Sequence, residues 1–153
     1  MGLDISHEAW HGAYSAFMTW RTKIAEIAGL PPLQLMEGFY DPLPPNERQL
    51  PTLYPGITTN GYSHSLKSLD ERLPIKWECL KPSPLHELLY HSDCDGEIEW
   101  ANCAAIADEL EKLISLLPDE SAGGHIGNWK EKTQIFIDGL KLAYSQQENL
   151  NFH

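Results

Sequence analysis

Residues 8–28 read EAWHGAYSAFMTWRTKIAEIA, and the spacing of their apolar positions sets the fold class. Trp10, Tyr14, Phe17, Ile24 and Ala28 recur at helical intervals, while Ala13, Met18, Trp20 and Ile27 widen the stripe. Gly29-Leu30-Pro31-Pro32 supplies the stop. The pattern predicts a core-packing helix from about Glu8 to Ala28.

Two further helices follow the same logic. Cys103, Ile106, Ala107, Leu110, Leu113, Ile114 and Leu117 share one face of a segment from Trp100 to Leu117, which Pro118 ends. The last helix runs from about Trp129 to Tyr144, with Trp129, Thr133, Phe136, Ile137, Leu140, Ala143 and Tyr144 on one side. Asn128 and, three residues on, Glu131 form a capping-box pattern at its start. A short helix spans Pro84 to Tyr90. Leu3-Asp4-Ile5-Ser6 and Asn149-Leu150-Asn151-Phe152-His153 alternate as short strands, and pairing them would tie the two ends of the chain together. The expectation is a single α+β domain over residues 1–153, mostly helical. It comprises three main helices, a short one and a small sheet of N- and C-terminal strands.

The middle of the chain breaks this pattern. Ten of the eleven prolines fall between Pro31 and Pro84. With the Asn60-Gly61 turn signal they deny residues 31–82 a long helix or central strand. This Pro-rich excursion reads either as a surface segment held by Phe39, Tyr40, Tyr54, Tyr62 and Trp77, or as a cover over a site.

Composition narrows the function classes. With 22 Asp+Glu against 11 Lys+Arg the formal net charge is −11. That balance argues against binding duplex nucleic acid, whose backbone is gripped by Lys and Arg, and against an anionic membrane surface. No apolar run approaches the ~18 residues of a membrane span, and the first residues lack the charged and apolar regions of a signal peptide. Cys79, Cys94 and Cys103 are an odd set without C-x-x-C spacing, which fits reduced thiols. The expected location is cytoplasmic.

Four places could carry chemistry. The loop His91-Ser92-Asp93-Cys94-Asp95-Gly96-Glu97-Ile98 follows part of the calcium-loop logic, with oxygens at alternate positions and a glycine at the sharp turn. It departs from that logic in having His91 at the first position and Asn102 at the twelfth. Its readings are a divalent-metal site of His91, Asp93, Asp95 and Glu97, or an Asx-type turn with solvated carboxylates. His7, Glu8 and His11 match H-E-x-x-H literally, but at a strand-to-helix junction instead of mid-helix. Arg21 falls inside the apolar stripe of the first helix, so its guanidinium must be paired or directed into a pocket. Gly123-Gly124-His125-Ile126-Gly127-Asn128 leads into a helix, where exposed N–H groups favour an anion. Lys130 and Lys132 stand in that helix's first turn against the dipole preference.

Taken together, GLDISH at 2–7, AWHGAYSAF at 9–17 with Trp20-Arg21, LLYHSDCDGEI at 88–98, GGHIGNW at 123–129, Lys132-Thr133 and FIDGL at 136–140 resemble a family of short uncharacterised proteins of bacteriophages, prophages and bacteria. The resemblance covers roughly two thirds of the chain and brings no catalytic residues with it. It implies a phage setting inside a bacterial host cell, where small acidic proteins act on host processes including defence signalling.

Three functional readings result. In the first, a pocket formed by His7, His11, Tyr14, Arg21, His91, Asp93, Asp95, Glu97, His125, Asn128, Trp129 and Lys132 binds a small anionic, nucleotide-like ligand, with Trp10 or Trp129 available for stacking. In the second, His91, Asp93 and Asp95 hold a divalent metal for phosphoester hydrolysis, and His125 or Lys132 stabilises the leaving charge. In the third, the acidic surface engages a host protein. Self-association of the chain is compatible with each.

Overall fold

The computed structural model describes residues 2–39, 57–59, 62–64, 74–92 and 95–153. Its elements are β1 (Leu3–Ile5), β2 (Trp10–Gly12), α1 (Tyr14–Ile27), β3 (Ile57–Thr59), β4 (Tyr62–His64), α2 (Leu85–Tyr90), β5 (Glu97–Ile98), α3 (Trp100–Ile114), α4 (Trp129–Gln146) and β6 (Leu150–Asn151). Short 3-10 turns occur at Leu33–Leu35 and Trp77–Cys79. The architecture is a mostly helical α+β fold. Most of the Pro-rich excursion lies outside the described residues. Within it, β3 and β4 pair as an antiparallel hairpin.

The two ends of the chain are joined as the alternation predicts. Leu3, Asp4 and Ile5 pair with Gly12, His11 and Trp10 on one edge of β1. On its other edge Asp4 N–H donates to the His153 carbonyl at 2.7 Å, and His153 N–H donates back at 2.9 Å. An isolated bridge links Ile5 to Phe152. β6 pairs outward with β5, Glu97 facing Asn151 and Ile98 facing Leu150. The C-terminal strand is thus bonded on both sides, which satisfies its backbone groups.

The helix boundary that differs most from the sequence expectation is the start of α1. The helix expected from Glu8 starts at Tyr14, because residues 10–12 are strand β2. Trp10 fits a helical stripe and a strand's inward face equally well, and β1 offers ladder hydrogen bonds that a helix entering at Glu8 would forfeit. Gly12, a poor helix former, favours the same outcome. β1 and β2 are joined by a tight turn in which Ala9 N–H donates to the Ser6 carbonyl at 3.2 Å. Both central residues, His7 (φ 60°) and Glu8 (φ 57°), are left-handed, as a two-residue hairpin turn with the right-handed strand twist requires. Side chains with a Cβ are disfavoured there by roughly 1–2 kcal/mol per residue. Replacing the exposed Glu8 with glycine is therefore expected to raise stability by about 0.5–1 kcal/mol, after allowing for the greater freedom of glycine in the unfolded chain. A lower urea midpoint for Glu8→Gly would contradict this account of the turn.

α3 starts at Trp100 as expected but ends at Ile114, three residues before Leu117, and α4 runs two residues past Tyr144, which is exposed, to Gln146. α1 closes with paired bonds from Gly29 N–H to the Glu26 carbonyl and Leu30 N–H to the Ala25 carbonyl, a Schellman stop. Asn128 Oδ1 caps α4 by accepting from the N–H groups of Lys130 and Glu131 at 2.9 and 3.2 Å. The core is aromatic at its centre. Trp10, Phe17, Trp20 and Phe136 are fully buried and packed together, with centroids 4.8–6.3 Å apart along the packed pairs. Trp20 Nε1 donates to Thr133 Oγ1 at 2.9 Å, giving the indole N–H a partner inside that core. No helix among the described residues is long and apolar enough to cross a membrane.

Candidate functional site

The residues that the sequence suggests for one pocket are distributed over several places. Arg21 is buried, as its wheel position requires. Its Nη1 donates to the carbonyls of Leu88, Leu89 and His91 at 3.4, 3.3 and 2.6 Å. These oxygens belong to the C-terminal end of α2, where a helix leaves carbonyls without intrahelical partners and favours a cation. The guanidinium also lies over the rings of Phe17 and Phe39, at 4.6 and 5.5 Å. Arg21 lines a cavity of about 310 Å³ with Gly38, Phe39, Tyr90, His91 and Ser92.

His91 acts as a buttress. Its Nδ1 and Nε2 lie 2.8 and 3.1 Å from the carbonyl oxygens of Ser92 and Glu97, and its ring stacks on Phe152 at 4.1 Å. A neutral imidazole has one N–H, so it can donate to one of these carbonyls at a time. Both nitrogens are turned to the protein's own backbone. Asp95 and Glu97 are exposed, and Asp93 and Cys94 lie outside the described residues. Among the described residues, no three His, Cys, Asp or Glu side chains gather as a metal-ligand set.

The H-E-x-x-H spacing does not place two histidines on one helical face. His7 sits in the hairpin turn with Nδ1 2.8 Å from Ser6 Oγ and Nε2 3.6 Å from Glu148 Oε1. His11 is on β2, its Nδ1 2.8 Å from Asp4 Oδ1. Trp10, expected as a stacking platform, is fully buried, and the Lys132 ammonium lies 4.2 Å from its ring centroid. Lys132 Nζ also donates to the His11 carbonyl at 3.1 Å, and burial pushes its pKa below the ordinary lysine value. Trp129 is half-buried beneath Lys23 Nζ at 5.7 Å. Asn128 is occupied in capping α4. Cys103, buried and beside Glu87, has its thiol pushed up to about 11, first by burial and then by that carboxylate, so it carries little thiolate at neutral pH.

The Gly123–Asn128 segment meets a different helix from the one it enters. A cavity of about 320 Å³ is lined by Ala13, Ser15, Ala16 and Thr19 at the start of α1 and by residues 122–126. The first turn of α1 has no side-chain cap and no acidic residue. Helix geometry leaves the N–H groups of its first turn without intrahelical acceptors. One of the neighbouring donors is satisfied from the glycine-rich segment, as Ala13 N–H donates to His125 Nδ1 at 2.8 Å. Gly123, Gly124 and Gly127 all have positive φ, and bonds from Ala122 N–H to Gly127 O and from Gly127 N–H to Gly123 O close the segment into a compact loop. In a chain of net charge −11, none of the nine lining residues is a carboxylate.

Of the residues expected to share a pocket, His125 lines this cavity, while Arg21 and His91 line the other. His7, His11, Tyr14, Asn128, Trp129 and Lys132 line neither. Ala13, Ser15, Ala16 and Thr19 have no signature as binding residues. The only trace they leave in the sequence is the absence of a Ser, Thr, Asp or Asn cap at position 13. Comparison of the chain with protein-family models, with curated proteins and with solved structures finds no match.

Proposed function

We propose that this protein binds a small anionic ligand, nucleotide-like in class, whose charged group sits between the start of α1 and the Gly123–Ile126 loop. The observation that carries the reading is the uncapped first turn of α1 facing that loop across a cavity without carboxylates. Backbone N–H groups and the positive end of the helix dipole favour an anion there. A volume near 320 Å³ is at the small end of ligand pockets, which suits a mononucleotide or smaller molecule better than a polymer. The ligand is held and released unchanged, in keeping with a sequestering role. The resemblance to phage proteins supports a setting in the cytoplasm of a bacterial host, with a host defence signal as the natural target.

Titration of ¹⁵N-labelled protein with inorganic phosphate, AMP and cyclic nucleotides tests this reading. Amide shifts are expected to concentrate at residues 13–16 and 123–126, with the nucleotide recovered intact. Shifts confined to other surfaces, or none with any probe, would remove the proposal. Conversion of the nucleotide that a chelator suppresses would replace binding by metal-dependent hydrolysis.

A further inference from the structure

We propose that Ser6, His7 and Glu148 act as nucleophile, base and orienting carboxylate, and that Ser6 accepts the acyl group of a small ester that carries no negative charge. This site is separate from the cavity between α1 and the Gly123–Ile126 loop. Ser6 Oγ lies 2.8 Å from His7 Nδ1, and Glu148 Oε1 lies 3.6 Å from His7 Nε2. An ionised carboxylate only accepts hydrogen bonds, so the neutral ring keeps its hydrogen on Nε2, toward Glu148. Nδ1 is then the acceptor, and the Ser6 hydroxyl is its donor. A serine that attacks a carbonyl carbon needs this order of groups, a base in hydrogen-bond reach that a third group orients.

Three parts of the fold hold these groups together. Asn151 N–H donates to Ser6 Oγ at 2.8 Å, and Ser6 N–H donates to the Asn151 carbonyl at 2.9 Å, which fixes the serine on the C-terminal strand. Neighbouring side chains on a strand point to opposite faces. His7 escapes that rule because its left-handed backbone turns the chain directly after β1. A hairpin turn of this type favours Asn-Gly, so His7 and Glu8 strain it at the place where the two reacting side chains meet. Glu148 follows the end of α4, where Gln147 is left-handed and Glu148 N–H donates to the Ala143 carbonyl at 3.0 Å. The His7 side chain is 10% exposed and that of Glu148 61%, so the base is shielded while the carboxylate stays hydrated.

In the reaction Ser6 Oγ bonds to the acyl carbon while its proton passes to His7 Nδ1. The ester C–O bond breaks, and the leaving alcohol takes that proton. Water then adds to the acyl carbon and gives a proton to Nδ1. The bond to Ser6 breaks, the acid departs and Ser6 regains its hydrogen. Glu148 stabilises the imidazolium formed in each half. Glu148 and the exposed Glu8, next to His7 in the chain, add negative charge here, which disfavours an anionic acyl group.

Diisopropyl fluorophosphate, an uncharged reagent for activated serines, is the first probe. Peptide mass spectrometry is expected to place its adduct on Ser6 in the folded protein and to find none there in concentrated urea. Wild type should hydrolyse p-nitrophenyl acetate at least tenfold faster than Ser6→Ala or His7→Asn, with circular dichroism checking that both variants fold. Asparagine tolerates a left-handed backbone, so His7→Asn removes the base and keeps the turn. Glu148→Gln should lower kcat about fivefold with KM unchanged, and Glu148→Asp should recover part of that loss. The mono-p-nitrophenyl ester of succinic acid, which carries a free carboxylate, should react more slowly than the acetate. Absence of the Ser6 adduct from folded wild type, or wild-type hydrolysis in Ser6→Ala or His7→Asn, would overturn the assignment. An unchanged kcat in Glu148→Gln would remove Glu148 from it, and a succinate ester reacting as fast as the acetate would overturn the charge selection.

Discussion

Gly139→Ala is expected to destabilise the protein by about 2 kcal/mol or more, although alanine in place of glycine within a helix ordinarily gains about 1 kcal/mol. Gly139 lies on the buried face of α4, against the turn that leads into β2. A Cβ there would be 2.5 Å from Ala9 Cβ and 2.7 Å from Ala9 Cα. These are backbone and near-backbone atoms of a fully buried residue, so no flexible side chain can swing aside. The helix and hairpin would have to separate, which would loosen the packing of Trp10 and the strand pairing beyond it. Urea unfolding of the variant gives the measurement. The double variant with Ala9→Gly should recover part of the loss, because it removes the clash with the Ala9 methyl group but leaves the crowding against the backbone at position 9. A raised midpoint for Gly139→Ala would mean that α4 and the hairpin do not pack this closely.

Arg21→Met is expected to cost about 3 kcal/mol, and Arg21→Lys to recover little of it. Methionine matches the length and apolar character of the stem and keeps the packing on Phe17. It leaves the carbonyls of Leu88, Leu89 and His91 without the guanidinium donor that now serves them. Each buried polar group left without a partner costs roughly 1–3 kcal/mol. Lysine retains the charge but has a point-like ammonium in place of a planar fork, so it cannot reproduce the same set of hydrogen bonds. The loss should be localised. Hydrogen exchange of the α2 amides is expected to accelerate more than that of α4, because Arg21 holds the end of α2 to α1. A change below 1 kcal/mol, or equal acceleration in both helices, would show that Arg21 does not perform this capping role.

Some elements are legible in the sequence and others are not, for identifiable reasons. α3 and α4 are legible because each has a clear apolar stripe, and Asn128 marks the start of α4, whereas Pro118 only bounds α3, which ends at Ile114. The end strands are legible because a period of two over four or five residues suits no helix. The start of α1 is not, since Trp10 is spaced correctly for the helical stripe and nothing local says that β1 will claim its backbone. The buried position of Arg21 is visible on the helical wheel. The carbonyls of Leu88, Leu89 and His91 that it donates to are not, because a backbone carbonyl is a group that every residue has and no residue type announces.

The candidate site divides in the same way. The glycine-rich segment at 123–127 is recognisable as a place where N–H groups approach a ligand. That it faces α1 instead of the helix it precedes depends on how the loop folds back over Ala13. The histidines illustrate the limit most clearly. His7, His11, His91 and His125 are equivalent candidates by residue type, and of these only His125 lines the carboxylate-free cavity.

Local sequence was thus enough for the fold class, the main helices, the joining of the two ends and the acidic character that argues against binding duplex nucleic acid. All of these follow from periodicity, turn chemistry and charge. Packing in three dimensions was needed to make residues 10–12 a strand, to set Arg21 on the end of α2, and to bring an uncapped helix start against a glycine-rich loop through His125. Each of those outcomes depends on backbone groups far apart in the chain, and their partners exist only once packing has brought them within hydrogen-bond reach.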